Sequence, residues 1–373
     1  MAALFSLKLM KRILMALTAA FLAVAPACGI FARDFKFTEA SSLTLTGKLF
    51  PDTPNPYHRI DTVRFKGFNK TENLLVRESS GIACAFRTNS TVISVKTVYL
   101  TPKYPTNGNG VSARGYDLYI RDGGRWVYAA SGVQSDGKLS ENLVLIDGME
   151  EGRSYECLLY LPLYSEVGSV QIGVDSSASI EALPNPFRHR VAIFGSSYTH
   201  GSSTSRGGMT YPAQFSRNTG IQLLSIGVSG RCMMQDYFAD ALIAAPDVEA
   251  FVFDAFSNPD AKMIDERLFR FIEKMQAAHP GVPLIFQRTI RRENRNFSVP
   301  KDRNEAAKMA MSDSLMAIAV KKYKDVYYIR PNATDKLVST TVDGVHPGDY
   351  GYTLWERSIE KPLLRILRKY GIR

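Results

Sequence analysis

The hydrophobic period of this chain changes once, at the proline-containing stretch EALPNPF, and that change decides what the chain can fold into. Before it, short apolar runs follow one another closely: SGIACAFRT, STVISVKTVYL, GYDLYIRD, RWVYAAS, ECLLYLPLY and SVQIGVD. Turn-rich pieces such as PTNGNG, DGG and SDGK part them. In GIACAFR, Ile82, Cys84 and Phe86 share one face and Ala83, Ala85 and Arg87 the other, the period of a strand. No amphipathic helix is expected to interrupt this region. Many short strands with Gly, Asn and Asp turns imply an antiparallel β-sandwich or jelly roll.

Beyond EALPNPF the runs RVAIFG, IQLLSIG, VEAFVFDAF, VPLIFQRT and VYYIRP read as buried strands, with helical patterns between several of them. In MIDERLFRFIEKMQAA, Ile264, Leu268, Phe271, Ile272 and Met275 fall on one helical face. NEAAKMAMSDSLMAIAVKKY is a second helix, and LWERSIEKPLLRILRKY closes the fold, broken or kinked near Pro362. Strand–helix alternation requires an α/β fold, a mostly parallel sheet covered on both faces. Ligand sites in such folds lie beyond the carboxyl ends of the strands. The expected organisation is a leader over 1–32, a β-sandwich domain over 33–183 and an α/β domain over 187–373.

The leader follows from Lys8, Lys11 and Arg12 preceding the apolar run ILMALTAAFLAVA and small residues, the pattern of a secretory signal. The run is short for a membrane span, so an exported, periplasmic or cell-surface protein is expected, with Cys28 as a candidate for lipid attachment. The formal net charge of +10 includes those three cations, and the rest of the basic residues are scattered without a nucleic-acid motif. Nucleic acid is therefore not an expected partner. Cys84 and Cys157 admit either a bridge, leaving Cys232 alone, or buried free thiols, and the cysteine spacings offer no zinc site.

Chemistry concentrates in four blocks, each after a strand of the second half. FGSSYTHG places two serines after the first of these strands. A serine needs a base within reach, and the base needs an acceptor on its other nitrogen. Of the five histidines, His346 in TTVDGVHPGDYGY is the candidate, because Asp343 stands three residues earlier and Gly344 eases a tight turn between them. His58, His189 and His279 lie in unsuitable contexts, and His200 has no acidic residue close in sequence. Oxyanion donors are sought in SIGVSGRC, at the Gly230 backbone, and in FSNPD, at the Asn258 amide.

Taken in order, FGSSYTHG, SIGVSG, FSNPD and DGVHP resemble the SGNH, or GDSL-type, hydrolase superfamily. SRGGMTYPAQFSR and the Gly-x-Asp-Leu-Tyr motif at Gly115, Asp117, Leu118 and Tyr119 are similar to a Bacteroides-type branch with an N-terminal β domain. The resemblance implies a three-layer, flavodoxin-like α/β/α domain with no metal or other cofactor. It implies Ser197 as nucleophile, His346 as base and Asp343 as its orienting acid. Gly230, Asn258 and the Ser197 backbone N–H would form the oxyanion hole. FDAFSNPD lacks the glycine that commonly shortly precedes this asparagine.

The activity so implied is ester hydrolysis through an acyl-enzyme, with acetyl groups on carbohydrate as the first expectation. A short-chain acyl esterase or lipase-like acylhydrolase, and a non-catalytic glycan-binding protein on the same scaffold, stay open. Arg288 and Arg291, in the basic loop QRTIRRENRNF with Arg292 and Arg295, are candidate contacts for an acidic glycan. The aromatics Tyr116, Tyr119, Trp126 and Tyr128 read as strand packing before they read as a sugar platform.

Overall fold

In the computed structural model the described residues are 33–373; the leader expected over 1–32, with Cys28, lies outside them. The first half supplies β1 (Phe35–Glu39), β2 (Thr44–Thr46), β3 (Ala83–Thr88), β4 (Ile93–Thr101), β5 (Tyr116–Asp122), β6 (Arg125–Gly132), β7 (Leu143–Ile146), β8 (Tyr155–Tyr160), β9 (Glu166–Asp175) and β10 (Ile180–Ala182). They form two sheets, β1-β9-β4-β7 and β10-β3-β8-β5-β6, with β2 beside β3. The pairings β4–β9, β4–β7, β3–β8, β5–β8 and β5–β6 are antiparallel.

Strand alternation explains how the second of these sheets is used twice. Cys84 and Phe86 of β3, with Leu118 and Leu159, meet Val95 and Ile172 of the other sheet in the sandwich core. The opposite face carries Ala83, Ala85, Tyr119, Leu158 and Tyr160, which pack with Leu183, Phe187 and Ala213 of the linker and second half. The second face is dry along this stretch and meets solvent at its end, where Arg87 pairs with Glu156 at 2.9 Å. Cys84, Cys157 and Cys232 are free, buried thiols, so no Cys84–Cys157 bridge forms, and burial pushes all three thiols up.

Two helices do interrupt the strands, α1 (Lys70–Arg77) and α2 (Gly110–Arg114), contrary to the expectation of none. The first starts with a capping box. The Asn69 side chain accepts the Glu72 N–H at 3.0 Å, and the Glu72 carboxylate accepts the Asn69 N–H at 2.9 Å. Its Leu75 and Val76, with Leu49, Phe50, Ile60 and Phe68, enter the core of the second half and not the sandwich.

The second half supplies β11 (Arg188–Gly195), β12 (Ile221–Gly227), β13 (Ala250–Asp254), β14 (Leu284–Gln287) and β15 (Val326–Ile329), a parallel sheet in the order β12-β11-β13-β14-β15. That is the flavodoxin-like order, which reverses direction at β11. The helices are α3 (Ser197–His200), α4 (Tyr211–Thr219), α5 (Asp236–Ile243), α6 (Ala261–Ala278), α7 (Val299–Lys322) and α8 (Asp349–Leu367). Alternate strand residues separate two cores. Phe194, Phe253 and Phe286 pack with α5, α6 and α7, while Ile193, Val252 and Ile285 pack with α4 and α8. The buried face of α6 is Ile264, Leu268, Phe271, Ile272 and Met275, as its spacing requires.

Of the break or kink expected near Pro362, the break does not occur: α8 runs through it, with Ile359 and Leu363 on either side buried in one core. Residues 36–373 form one compact unit. Among the described residues no helix is long and apolar enough to cross a membrane.

Candidate active site

The site lies at the carboxyl ends of β11, β12 and β13, beside the reversal of strand order. β11 ends at Gly195, and the next two residues diverge in role. Ser196 caps α3, and both its N–H and its hydroxyl donate to Asp254 Oδ2, at 3.0 and 2.6 Å. Thr199 donates to the same oxygen at 3.2 Å and Ser257 to Oδ1 at 2.6 Å. Burial raises the Asp254 pKa, and these bonds act against the rise. Ser197, on the next turn position, points the other way, with its Oγ 2.8 Å from His346 Nε2.

His346 stands on a tight loop between β15 and α8. Val342 donates to the His346 carbonyl and Gly348 to the Thr340 carbonyl, both at 2.8 Å, so the loop closes on itself. Gly344 at its tip has φ +81°, and a Cβ there would lie 2.8 Å from the Asn294 Cβ, so only glycine fits. The basic loop holds it from outside. Glu293 accepts from the Thr340 N–H at 2.7 Å and from the Thr341 hydroxyl, and the Asn294 N–H donates to the Gly344 carbonyl at 2.7 Å.

Within the loop, Asp343 Oδ1 accepts the His346 N–H and Oδ2 faces the ring Nδ1, each at 2.8 Å. The carboxylate acceptor at Nδ1 fixes the tautomer, leaving the Nε2 lone pair for the Ser197 hydroxyl. The Tyr198 ring meets the imidazole edge-on at 5.8 Å.

Gly230 and Asn258 join these residues around one cavity of ≈ 400 Å³. Gly230 has φ +70° with no atom near where a Cβ would go, so backbone conformation and not space asks for glycine. Asn258 accepts the Cys232 N–H through Oδ1 at 3.1 Å, which leaves its NH2 end available to a bound oxyanion. The five residues singled out by sequence therefore meet in one place.

Arg288 and Arg291 do not reach this cavity. Both guanidinium contacts of Arg288 go to Asp313, at 3.0 and 2.9 Å, and Arg291 lines a second depression with Arg295, Phe297 and Lys336. Arg292 is the basic-loop residue that lines the cavity. Its Nε donates to the Tyr198 hydroxyl at 3.0 Å and its NH1 pairs with Glu305 at 3.0 Å. His200 does have an acidic neighbour, Glu78, at 3.2 Å, but the pair is buried, and its Nε2 also meets the Leu163 carbonyl at 2.7 Å.

Sequence reasoning missed the contribution of the first half. Asn107 and Tyr164 both line the cavity. Asn107 Nδ2 donates to Asp343 Oδ2 at 3.0 Å. The Tyr164 ring stacks on His200 at 4.1 Å, and its hydroxyl meets those of Ser229, at 2.8 Å, and Ser202. The Gly-x-Asp-Leu-Tyr motif explains the embrace. Asp117 is fully buried and accepts from the Gly208 N–H at 2.8 Å and Arg206 Nε at 3.1 Å, gripping the SRGGM segment that follows α3.

Residues 35–180 match the model of the GxDLY N-terminus of SGNH-hydrolase-type esterases, and residues 188–363 match that of the GDSL-like lipase/acylhydrolase family. A crystal structure from Bacteroides ovatus ATCC 8483, described as a GDSL-like lipase, superposes with a TM-score of 0.84 at 34% identity, covering 90% of this chain and 98% of that one. The chain belongs to the GDSL-like lipase/acylhydrolase family. The same two-part fold recurs in a salicylyl-acyltransferase from a tetracycline biosynthetic pathway, with a TM-score of 0.67 and 19% identity over 91% of this chain and 99% of that one. It recurs again in a family two carbohydrate esterase from Cellvibrio japonicus, with a TM-score of 0.55 and 12% identity over 90% and 98%. No curated protein matches the chain by sequence. Membership of this family supports an esterase or acylhydrolase activity.

Proposed function

We propose that this GDSL-like hydrolase is an exported serine esterase that removes small acyl groups, acetyl first among them, from carbohydrate. The observation that carries the reading is the unbroken run from Ser197 Oγ to His346 Nε2 and from His346 Nδ1 to Asp343 Oδ2, 2.8 Å at each step, beside two oxyanion donors. Ser197 attacks the ester carbonyl as His346 takes its proton, and Asp343 stabilises the imidazolium. The carbonyl oxygen becomes an oxyanion facing the Gly230 N–H, the Asn258 amide and the Ser197 N–H. Collapse releases the sugar alcohol, which receives the proton from His346. Water, activated by the same imidazole, then frees the acid and restores Ser197.

Carbohydrate is favoured by the wall of the cavity. The hydroxyls of Ser112 and Ser203 already donate to the Asn109 and Asn107 carbonyls, and the Tyr164 hydroxyl is bonded to Ser202 and Ser229, so this wall offers a sugar hydroxyl mainly acceptor oxygens, set beside Pro105 and Val345. The reading assigns residues 1–32 to the leader, 33–183 to the sandwich domain and 187–373 to the catalytic domain.

Hydrolysis of p-nitrophenyl acetate and of acetylated xylan by the wild type and Ser197→Ala tests it. Both activities should fall by about 10⁴-fold or more in the variant. Activity on the small ester alone would keep the esterase and remove xylan. Full activity in Ser197→Ala would sink the assignment of the nucleophile, and a folded wild type that cleaves no acyl ester but retains glycan would make it a binding protein.

A further inference from the structure

The loop of the sandwich domain between β4 and α2 reaches across to the histidine loop, and Asn107 is the residue that touches it. Its Nδ2 lies 3.0 Å from Asp343 Oδ2 and 3.4 Å from His346 Nδ1. With Nδ1 carrying the proton that it gives to Asp343, only the carboxylate can accept the amide N–H. Asp343 then has four donors, two on each oxygen. Oδ1 accepts the Val345 and His346 backbone N–H groups at 3.0 and 2.8 Å. Oδ2 accepts the imidazole at 2.8 Å and Asn107 at 3.0 Å. Burial alone would raise the Asp343 pKa, but the bonds from Asn107 and from the His346 backbone and ring hold it well below the usual carboxylate range.

Three of those four donors belong to the same turn as the carboxylate. The fourth comes from 236 positions away, in the other half of the molecule. Asn107 is itself tied down, since its carbonyl accepts the Ser203 hydroxyl at 2.6 Å, three residues past the end of α3. One residue thus spans the segment after the serine and the loop of the histidine.

We propose that Asn107 is a positioning residue of the reaction: its amide fixes the Asp343 carboxylate, and through it the imidazole, so the sandwich domain completes the active site. The inference rests on the reading of Ser197, His346 and Asp343 as the triad. The titratable groups facing the imidazole are Asp343 and the Tyr198 phenol, the latter hydrogen-bonded to Arg292. From the sandwich side the facing group is the neutral amide of Asn107.

The test uses the full chain with Asn107→Ala, Asn107→Asp and Ser197→Ala, comparing kcat, KM, the pH profile of kcat/KM and Tm on p-nitrophenyl acetate. Asn107→Ala should lower kcat about tenfold, part of the roughly 10²- to 10⁴-fold that a positioned proton transfer supplies, with KM and Tm little changed. Asn107→Asp adds a carboxylate beside the pair and should move the acid limb of the profile up by about one pH unit. Wild-type kcat and an unmoved acid limb would overturn the proposal. So would a fall in kcat that merely follows a fall in Tm, with the limb in place. Activity surviving in Ser197→Ala would instead strike the triad, and is read separately.

Discussion

At the scale of single residues, Asp254 is the hinge between the sheet and the serine turn. Its carboxylate takes donors from Ser196, Thr199 and Ser257 in a fully buried setting. Asp254→Ala leaves those donors unpaired, so a loss of about 3 kcal/mol is expected in urea unfolding, along with a fall in kcat as Ser197 drifts. Asn258→Ala should lower kcat by about 10²- to 10³-fold with KM little changed, which steady-state kinetics on p-nitrophenyl acetate will show. Ser197, Gly230 and Asn258 were legible because each sits in a short block just after a strand, and Asp343 and His346 because they share one turn, so local sequence sets their spacing. Asp254 stood in plain view in FDAFSNPD, but its partners around Ser196 lie 58 positions away. Asn107 and Tyr164 were illegible for the same reason, and Arg292 could not be told from Arg288 or Arg291 because an irregular loop has no period to assign its side chains.

Among the elements, α8 carries a charge problem that the helical pattern conceals. Glu356 is buried on it, and burial, with Glu360 adding to it and the Asn218 hydrogen bond opposing, pushes its pKa up to about 7. Below the ordinary carboxylate range Glu356 is neutral in folded and unfolded chains alike. As pH rises from there to 7 the unfolded chain ionises first, so stability is lost across that window, on the order of 2 kcal/mol. Glu356→Gln should flatten the fall, read as Tm at pH 4.5 and pH 8. The long helices were legible from their helical patterns and all five parallel strands from their unbroken apolar runs. The short α1 was missed among the strand runs around it, although it is amphipathic and the Asn69-x-x-Glu72 box that starts it was there to be read. At Pro362 the local rule is real, yet the helix continues through it with Ile359 and Leu363 buried in one core.

For the whole molecule, the two halves share too much to be separable. The sheet of β3, β5 and β8 buries apolar residues on both faces, and Leu49, Phe50, Ile60, Phe68, Leu75 and Val76 enter one of the two cores of the α/β half. A chain of residues 187–373 alone would expose that surface and should be insoluble or lack fixed tertiary structure, which expression and near-UV circular dichroism would show. Asp117→Ala, which strands the partly buried Arg206 and the Gly208 N–H, should cost about 3 kcal/mol. The three buried thiols give this architecture a practical use. Cys84 and Cys157 sit in the sandwich core and Cys232 in the other. An alkylating reagent reaches each only when the packing around it opens, so the native chain carries its own stopwatches. Peptide masses taken over time would report whether the two cores breathe together or apart.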